Sequence, residues 1–460
     1  MQENRKCMNK IIHTMKIKYL LFVVVFSLSL GVIKAVASKT PAGSVFSSLT
    51  SGSGLYDAVI DINGRGDYTS VQAAIDAAPV NRKTPWKIFI KNGRYEGLVR
   101  IPEDKTFIYL IGQDPEKVII SFKINCGNPE NPKDAGKAYS KVKFQQADCA
   151  VVVVNATDFY AENITFENAY GVEAQNGPQA LAIKTNSDRM AFSNCKFRSF
   201  QDTWMTSTKG KNDRTYADHC WIEGAVDYFY GGGNAFVENS TFFNVRSGSV
   251  IVAPSHEAGT KWGYVFQHCT IDGNKAAGDG RSKLGRPWHN QPMAVFLNST
   301  IKIPLHPEGW TDMGPAAKLF AEYNSRDAKG RPVDLTRRRT WYQQSKGEGG
   351  QRVDGLQAVL SEQEAAKYTY TNVVAGQDGW NPRNFFKKAA APSHIEWSAG
   401  RLTWQGSPDA AGYVVYKDHR LAGFTKDASF NTDTRPEGKY TVMSVNENGS
   451  LGNMSQIYSL

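Results

Sequence analysis

Long helical periodicity is absent between the short strand-like segments that recur from 159 to 301. Apolar residues rarely recur at three- and four-residue spacings, which disfavours a sheet built from alternating βαβ units. Cysteine is sparse, six in all, with no Cys-x-x-Cys pair, so the chain does not read as disulfide-scaffolded. The eight His residues show no metal-ligand spacing, and neither a metal nor a cofactor is expected. No Gly-x-Ser-x-Gly stretch marks a serine nucleophile elbow. No Lys/Arg patch interleaved with aromatics points to nucleic acid.

The N-terminus has a leader's composition. Several Lys and Arg precede an apolar run, Tyr19–Ile33, and Ala35-Val36-Ala37 offers small residues in an A-x-A pattern. Residues 1–37 are therefore expected to be a secretory signal peptide, leaving no membrane span after cleavage and a secreted protein, extracellular or periplasmic. Six Lys/Arg and one Glu fall in that segment, so the remainder keeps +5 of the full +10. A mildly basic surface suits an anionic substrate without proving one. Cys7 leaves with the leader, and the five remaining cysteines imply at least one free thiol or an intermolecular bridge. Residues 38–55, rich in Ser, Gly and Thr, read as a flexible leader to the first domain.

A repeat lies within the chain. FYAENITF, MAFSNCKF, TYADHCWI, AFVENSTF, YVFQHCTI and AVFLNSTI align without gaps. Their shared Asn/His falls at 163, 194, 219, 239, 268 and 298, a mean spacing of 27 residues. Short β-branched and aromatic segments recurring once per irregular coil describe an all-β parallel β-helix. Cys195, Cys220 and Cys269 then share a slot with Ile164, Ser240 and Ser299 as small buried ladder residues, and a Cys195–Cys220 bridge stays open. Val71, Ala74, Ile75 and Ala78 fall on one helical face behind Thr69 or Ser70, so a short helix is expected to cover the N-terminal end. Ala389-Ala390-Ala391-Pro392 marks a linker over 387–392, and 393–460 alternates as in a small β-sandwich. A chain ending near Phe386 is accordingly expected to fold and keep its chemistry.

Three further segments stack: QALAI (179–183), QDTWM (201–205) and VDYFY (226–230), at offsets of 22 and 25 residues. Asp202 and Asp227 should stand side by side on neighbouring strands, about 4.8 Å apart. Carboxylates so placed titrate apart, as acid/base or nucleophile-plus-acid chemistry requires, although a solvated acidic ladder has the same spacing. In LGRPW (284–288), Arg286 offers a planar fork that can hold Asp227 ionised while Asp202 keeps its proton; a rigid structural turn is the plainer reading. Gln179 and Gln201 bring amide donors for an oxyanion.

QALAI, SFQDTW, IEGAVDYFYG and LGRPW, in this order, resemble the signature of the pectin methylesterases, or pectinesterases. INGRGDYTSVQAAIDAAP (62–79), GW (309–310), FAEY (320–323) and SEQEAAKYT (361–369) extend the resemblance over roughly 56–385. It implies a right-handed parallel β-helix over 56–386 that hydrolyses the C6 methyl esters of pectic homogalacturonan. It also implies Asp227 as nucleophile, Asp202 as general acid/base, Gln179 and Gln201 at the oxyanion, Arg286 orienting Asp227, and Trp288 and Tyr230 lining a sugar cleft. A monomer acting on methyl-esterified pectin is expected. The sequence departs from the pattern at Trp204 (usually Leu), Tyr230 (usually Phe), the glycine loop 231–233, Glu96 directly after Tyr95, and an insertion at 126–140. The tail resembles a fibronectin type III-like module, either a spacer or a carbohydrate- or surface-binding unit.

Rival functions on a β-helix are a polygalacturonase, a pectate lyase or a non-catalytic polysaccharide binder. The first needs further aspartates and a His-Gly motif on the same face. The second needs a calcium-binding carboxylate cluster, and only two carboxylates converge here. The third does not need Gln, Asp and Arg to converge.

Overall fold

The computed structural model describes residues 54–126, 149–207, 210–432 and 437–459. The expected signal peptide, residues 38–53 of the leader and residues 127–140 of the insertion lie outside them. Three parallel sheets of ten, nine and eight strands, sheets A, B and C here, form a right-handed parallel β-helix. One coil runs Arg214–Asp218 in A, Trp221–Gly224 in B and Val226–Gly231 in C. The next runs Asn234–Glu238, Thr241–Asn244 and Val250–His256 in the same order.

The sequence repeat marks the corner between A and B. Asn163, Asn194, His219, Asn239, His268 and Asn298 all have φ between 49 and 56°. This left-handed turn tolerates Asn better than most side chains, so the marker recurs wherever the corner does. The exposed amides also stack, Asn194 Nδ2 donating to Asn163 Oδ1 at 2.7 Å. The residue after each marker points inward, and Cys195, Cys220 and Cys269 are buried free thiols on this ladder. Cys126 and Cys149 instead form a disulfide across the insertion. The chain is thus pinned at one place that cysteine spacing alone did not reveal.

The interior column is aromatic and aliphatic, with Phe197 stacked on Phe166 of the preceding coil (5.4 Å) and on Trp204 of its own coil (4.1 Å). Trp204 fills this column, its indole donating to Thr185 Oγ1 at 3.2 Å. At the N-terminal end the helix Val71–Ala77 is capped by Ser70 and buries Val71, Ala74 and Ile75, as its spacing predicts.

Beyond residue 392 the strands turn antiparallel, forming a three-stranded and a five-stranded sheet. Strand Gly412–Lys417 splits its side chains by parity. Tyr413 and Val415 enter a small core with Leu402, Trp404, Tyr440 and Val442. Val414 and Tyr416 join a second core with Phe89, Tyr109 and Ile111 on the outer face of sheet A. Glu162 of sheet A is buried in that contact, accepting from Ser450 Oγ (2.6 Å) and Leu451 N (2.9 Å). The stretch expected as a linker is itself engaged, since Ala389 is buried and its carbonyl accepts from Ser444 Oγ and Asn453 N. These contacts oppose the expectation that a chain ending near Phe386 would keep its fold undisturbed.

Candidate active site

Sheet C carries the carboxylates. Gln201 bridges to Val226 in parallel register, Trp204 pairs with Phe229, and Asp202 N donates to Val226 O at 2.9 Å. That offset of 25 residues sets Asp202 beside Asp227 on consecutive coils, as the sequence stacking predicts. Both adopt left-handed backbone, φ 63° at Asp202 and 49° at Asp227. The strand register also shifts between Val226 and Phe229. A bulge of this kind re-aims a side chain, and the strain it carries is typical of working sites.

Arg286 reaches Asp227 from two coils away. Gly285 pairs with Val252, which pairs with Phe229. A Cβ at Gly285 would meet Val252 Cγ2 at 2.4 Å, so the close backbone approach needs glycine. Arg286 Nε donates to Asp227 Oδ1 at 2.8 Å and Nη2 to Oδ2 at 2.6 Å, a bidentate fork. Asp227 is 6% exposed and Asp202 3%.

Burial raises the pKa of both carboxyls, but their neighbours separate them. At Asp227, burial is opposed by the hydrogen bonds and charge of Arg286 and by the charge of Arg246, leaving it moderately raised. At Asp202, burial and the adjacent Asp227 charge act together and hold it well above the usual carboxylate range, against weaker pulls from Tyr230, Arg286 and Gln201. Their neighbours therefore favour ionisation at Asp227 ahead of Asp202.

The remaining residues gather around this pair. Gln201 is half-buried, its amide acts on Asp202, and its Oε1 sits 3.1 Å from where a Cβ of Gly177 would lie. Gln179 is half-buried one coil earlier; its carbonyl accepts from Cys126 N (2.8 Å), and Ala180 N donates to Gln201 O (3.1 Å). Half-buried Trp288 meets Tyr230 edge-on at 5.4 Å. Asp202, Asp227, Arg286, Gln201, Tyr230 and Trp288 are linked by these contacts, and the Gln179 backbone lies one coil away. Arg246, which stacks over buried Phe200 at 5.5 Å and bears on Asp227, carried no signal in the sequence.

Paired buried carboxyls with split acidities, one clamped by a guanidinium and with amides alongside, make a β-helical enzyme suited to acyl chemistry at a carbonyl. The chain belongs to the pectinesterase family, whose pattern matches residues 57–377, and family members are carboxylic ester hydrolases. It is 33% identical to pectinesterase 31 of Arabidopsis thaliana over 266 residues, 57% of this chain and 80% of that one. It is 30% identical to the pectinesterase of Petunia integrifolia over 350 residues, 73% of this chain and 83% of that one. The fold is similar to the pectin methylesterase from carrot, with TM-score 0.59 and 24% identity, covering 76% of this chain and 98% of that one.

Proposed function

We propose that this chain hydrolyses the C6 methyl esters of galacturonate in pectin through Asp227 and Asp202. The observation that carries the reading is the bidentate Arg286–Asp227 pair set beside a second buried carboxyl, whose pKa burial and the Asp227 charge raise. The Asp227 carboxylate attacks the ester carbonyl, and the oxyanion receives the amide donors of Gln201 and Gln179. Collapse breaks the C–OCH3 bond, the Asp202 proton goes to the leaving oxygen, and methanol departs, leaving an anhydride between C6 and Asp227. Asp202, now a carboxylate, takes a proton from water. The resulting hydroxide attacks the acyl carbon, and Asp227 leaves as carboxylate with Asp202 reprotonated. Trp288 and the ring of Tyr230 form an apolar wall for the sugar.

The rest of the reading joins this one. Residues 1–37 act as a signal peptide, and the protein works outside the cytoplasm as a monomer on methyl-esterified homogalacturonan. The Cys126–Cys149 disulfide agrees with an oxidising compartment. Residues 56–386 form the catalytic domain and 393–460 a fibronectin type III-like unit. The test is methanol release from highly methylated pectin, with uronide double bonds and reducing ends followed in parallel. Methanol alone is expected, and it persists in a strong chelator because no step needs a metal. Unsaturated uronides restored by calcium after chelation would assign a lyase; new reducing ends without methanol would assign a polygalacturonase.

A further inference from the structure

Tyr230 is the residue of this site whose polar atom makes no hydrogen bond of ordinary geometry among the described residues. Past the bulge in Val226–Gly231, neighbouring side chains pack against different partners. Phe229 packs in the column, 5.1 Å from Trp204 and 4.9 Å from Tyr264, while Tyr230 packs edge-on against half-buried Trp288. Gly231 secures this course, with φ 111° and a Cβ position only 2.4 Å from Thr206 O. Tyr230 is nonetheless only 1% exposed, and its buried hydroxyl makes no hydrogen bond of ordinary geometry among the described residues, although it lies close enough to Asp202 to pull that carboxyl's pKa down. An orphan buried hydroxyl costs about 1–3 kcal/mol. A hydroxyl meant only to meet a sugar could wait in water at no such cost.

We propose that the Tyr230 hydroxyl is a positioning donor for Asp202, engaged when that carboxyl gives up its proton to the departing methanol. This rests on the Asp227–Asp202 mechanism proposed above. Register sets Tyr230 against Met205, three residues past Asp202 on the adjoining coil. After burial, Asp202 is the group that most raises the phenol, with Tyr264 and Asp227 adding less, so the phenol stays protonated and able to donate. Among the described residues, the groups that act on Asp202 include Asp227, Arg286, Gln201 and Tyr230. While Asp202 holds its proton, a phenol donor gains little from it. Once the C–OCH3 bond breaks and the proton leaves with methanol, a carboxylate appears in a dry site. The loose approach of the phenol to Asp202 then tightens into a charge-assisted O–H···O⁻ bond. A donor aimed at charge that develops during the reaction stabilises that stage over the resting state. The hydroxyl is also the atom by which this position departs from the family pattern.

The test is Tyr230→Phe, which keeps the ring against Trp288, assayed beside wild type and Asp227→Asn. The turnover number kcat is expected to fall about 10- to 100-fold with KM within about twofold, the loss of one charge-assisted bond. The alkaline limb of kcat/KM moves up by about one pH unit, because Asp202 then holds its proton more tightly. Tm does not fall, since the orphan hydroxyl is gone. A raised KM with unchanged kcat makes the hydroxyl a sugar contact and overturns the proposal. So does an unmoved alkaline limb, or a lowered Tm. Failure of the parent mechanism shows separately, as turnover by Asp227→Asn.

Discussion

Asp202 and Asp227 share a side chain, a strained backbone and near-complete burial, and differ in who touches them. Arg286 makes its fork with Asp227, and in the proposed mechanism that asymmetry divides acid from nucleophile. Arg286→Ala removes it. Burial then acts on Asp227 unopposed by the fork, its pKa rises, and the acid limb of kcat/KM should move to higher pH along with a loss of rate. A limb that stays in place would mean Asp227 is held ionised by something else. Asp202→Asn deletes the proton donor and should cost about 10²–10⁴-fold in turnover. Gln201→Ala should cost on the order of 10²–10³-fold, read as kcat for methanol release with folded protein verified by circular dichroism.

Coils, rather than single strands, are the elements of this fold, and their corners explain what was readable in the sequence. The Asn/His marker recurs because one left-handed turn recurs, and its spacing fixes the register. Register in turn placed Asp202 beside Asp227 before any coordinates, since a constant offset carries neighbouring residues together. Arg286 was legible through the glycine and proline that hold it, and Cys195, Cys220 and Cys269 through their shared slot. The Cys126–Cys149 bridge was not legible, because it closes an insertion outside the repeat. Arg246 was not, because no motif surrounds it. The corner residues can be tested directly. Asn194→Val puts a β-branched side chain at φ 50° and should lower stability by about 1–2 kcal/mol, while Asn194→Gly should cost less. Urea midpoints of the two variants compare them, and equal losses would contradict the turn argument.

At the scale of the molecule, the C-terminal sheets are a cover rather than an appendage. Composition marked their boundary, but the docking joins residues as far apart as Glu162 and Ser450, which no local pattern encodes. Truncation after Phe386 would uncover Phe89, Tyr109 and Ile111, so the shortened chain should show a lower Tm and a tendency to aggregate. An unchanged Tm would restore the spacer reading. The contact also titrates. Burial raises Glu162 to about 7, opposed by the Ser450, Leu451 and Tyr109 donors. Folding therefore favours its protonated form, and this group's contribution to stability is intact below the unfolded pKa and lost as pH rises from about 4.5 through 7. Glu162→Gln should flatten that loss, on the order of 3 kcal/mol at most, seen as a Tm less dependent on pH than wild type. Identical pH profiles would place the ionisation elsewhere.

The measurement that bears most directly on the account is methanol release from highly methylated pectin by purified, folded Asp227→Asn, with pectin binding measured on the same sample. An amide keeps the shape of the side chain but cannot attack a carbonyl. Turnover should vanish while binding persists, and an Asp202→Asn/Asp227→Asn double variant should lose little more, because the two groups act as one unit. Turnover at the wild-type rate by Asp227→Asn would reduce this aspartate to a rung on an acidic ladder and contradict the mechanism.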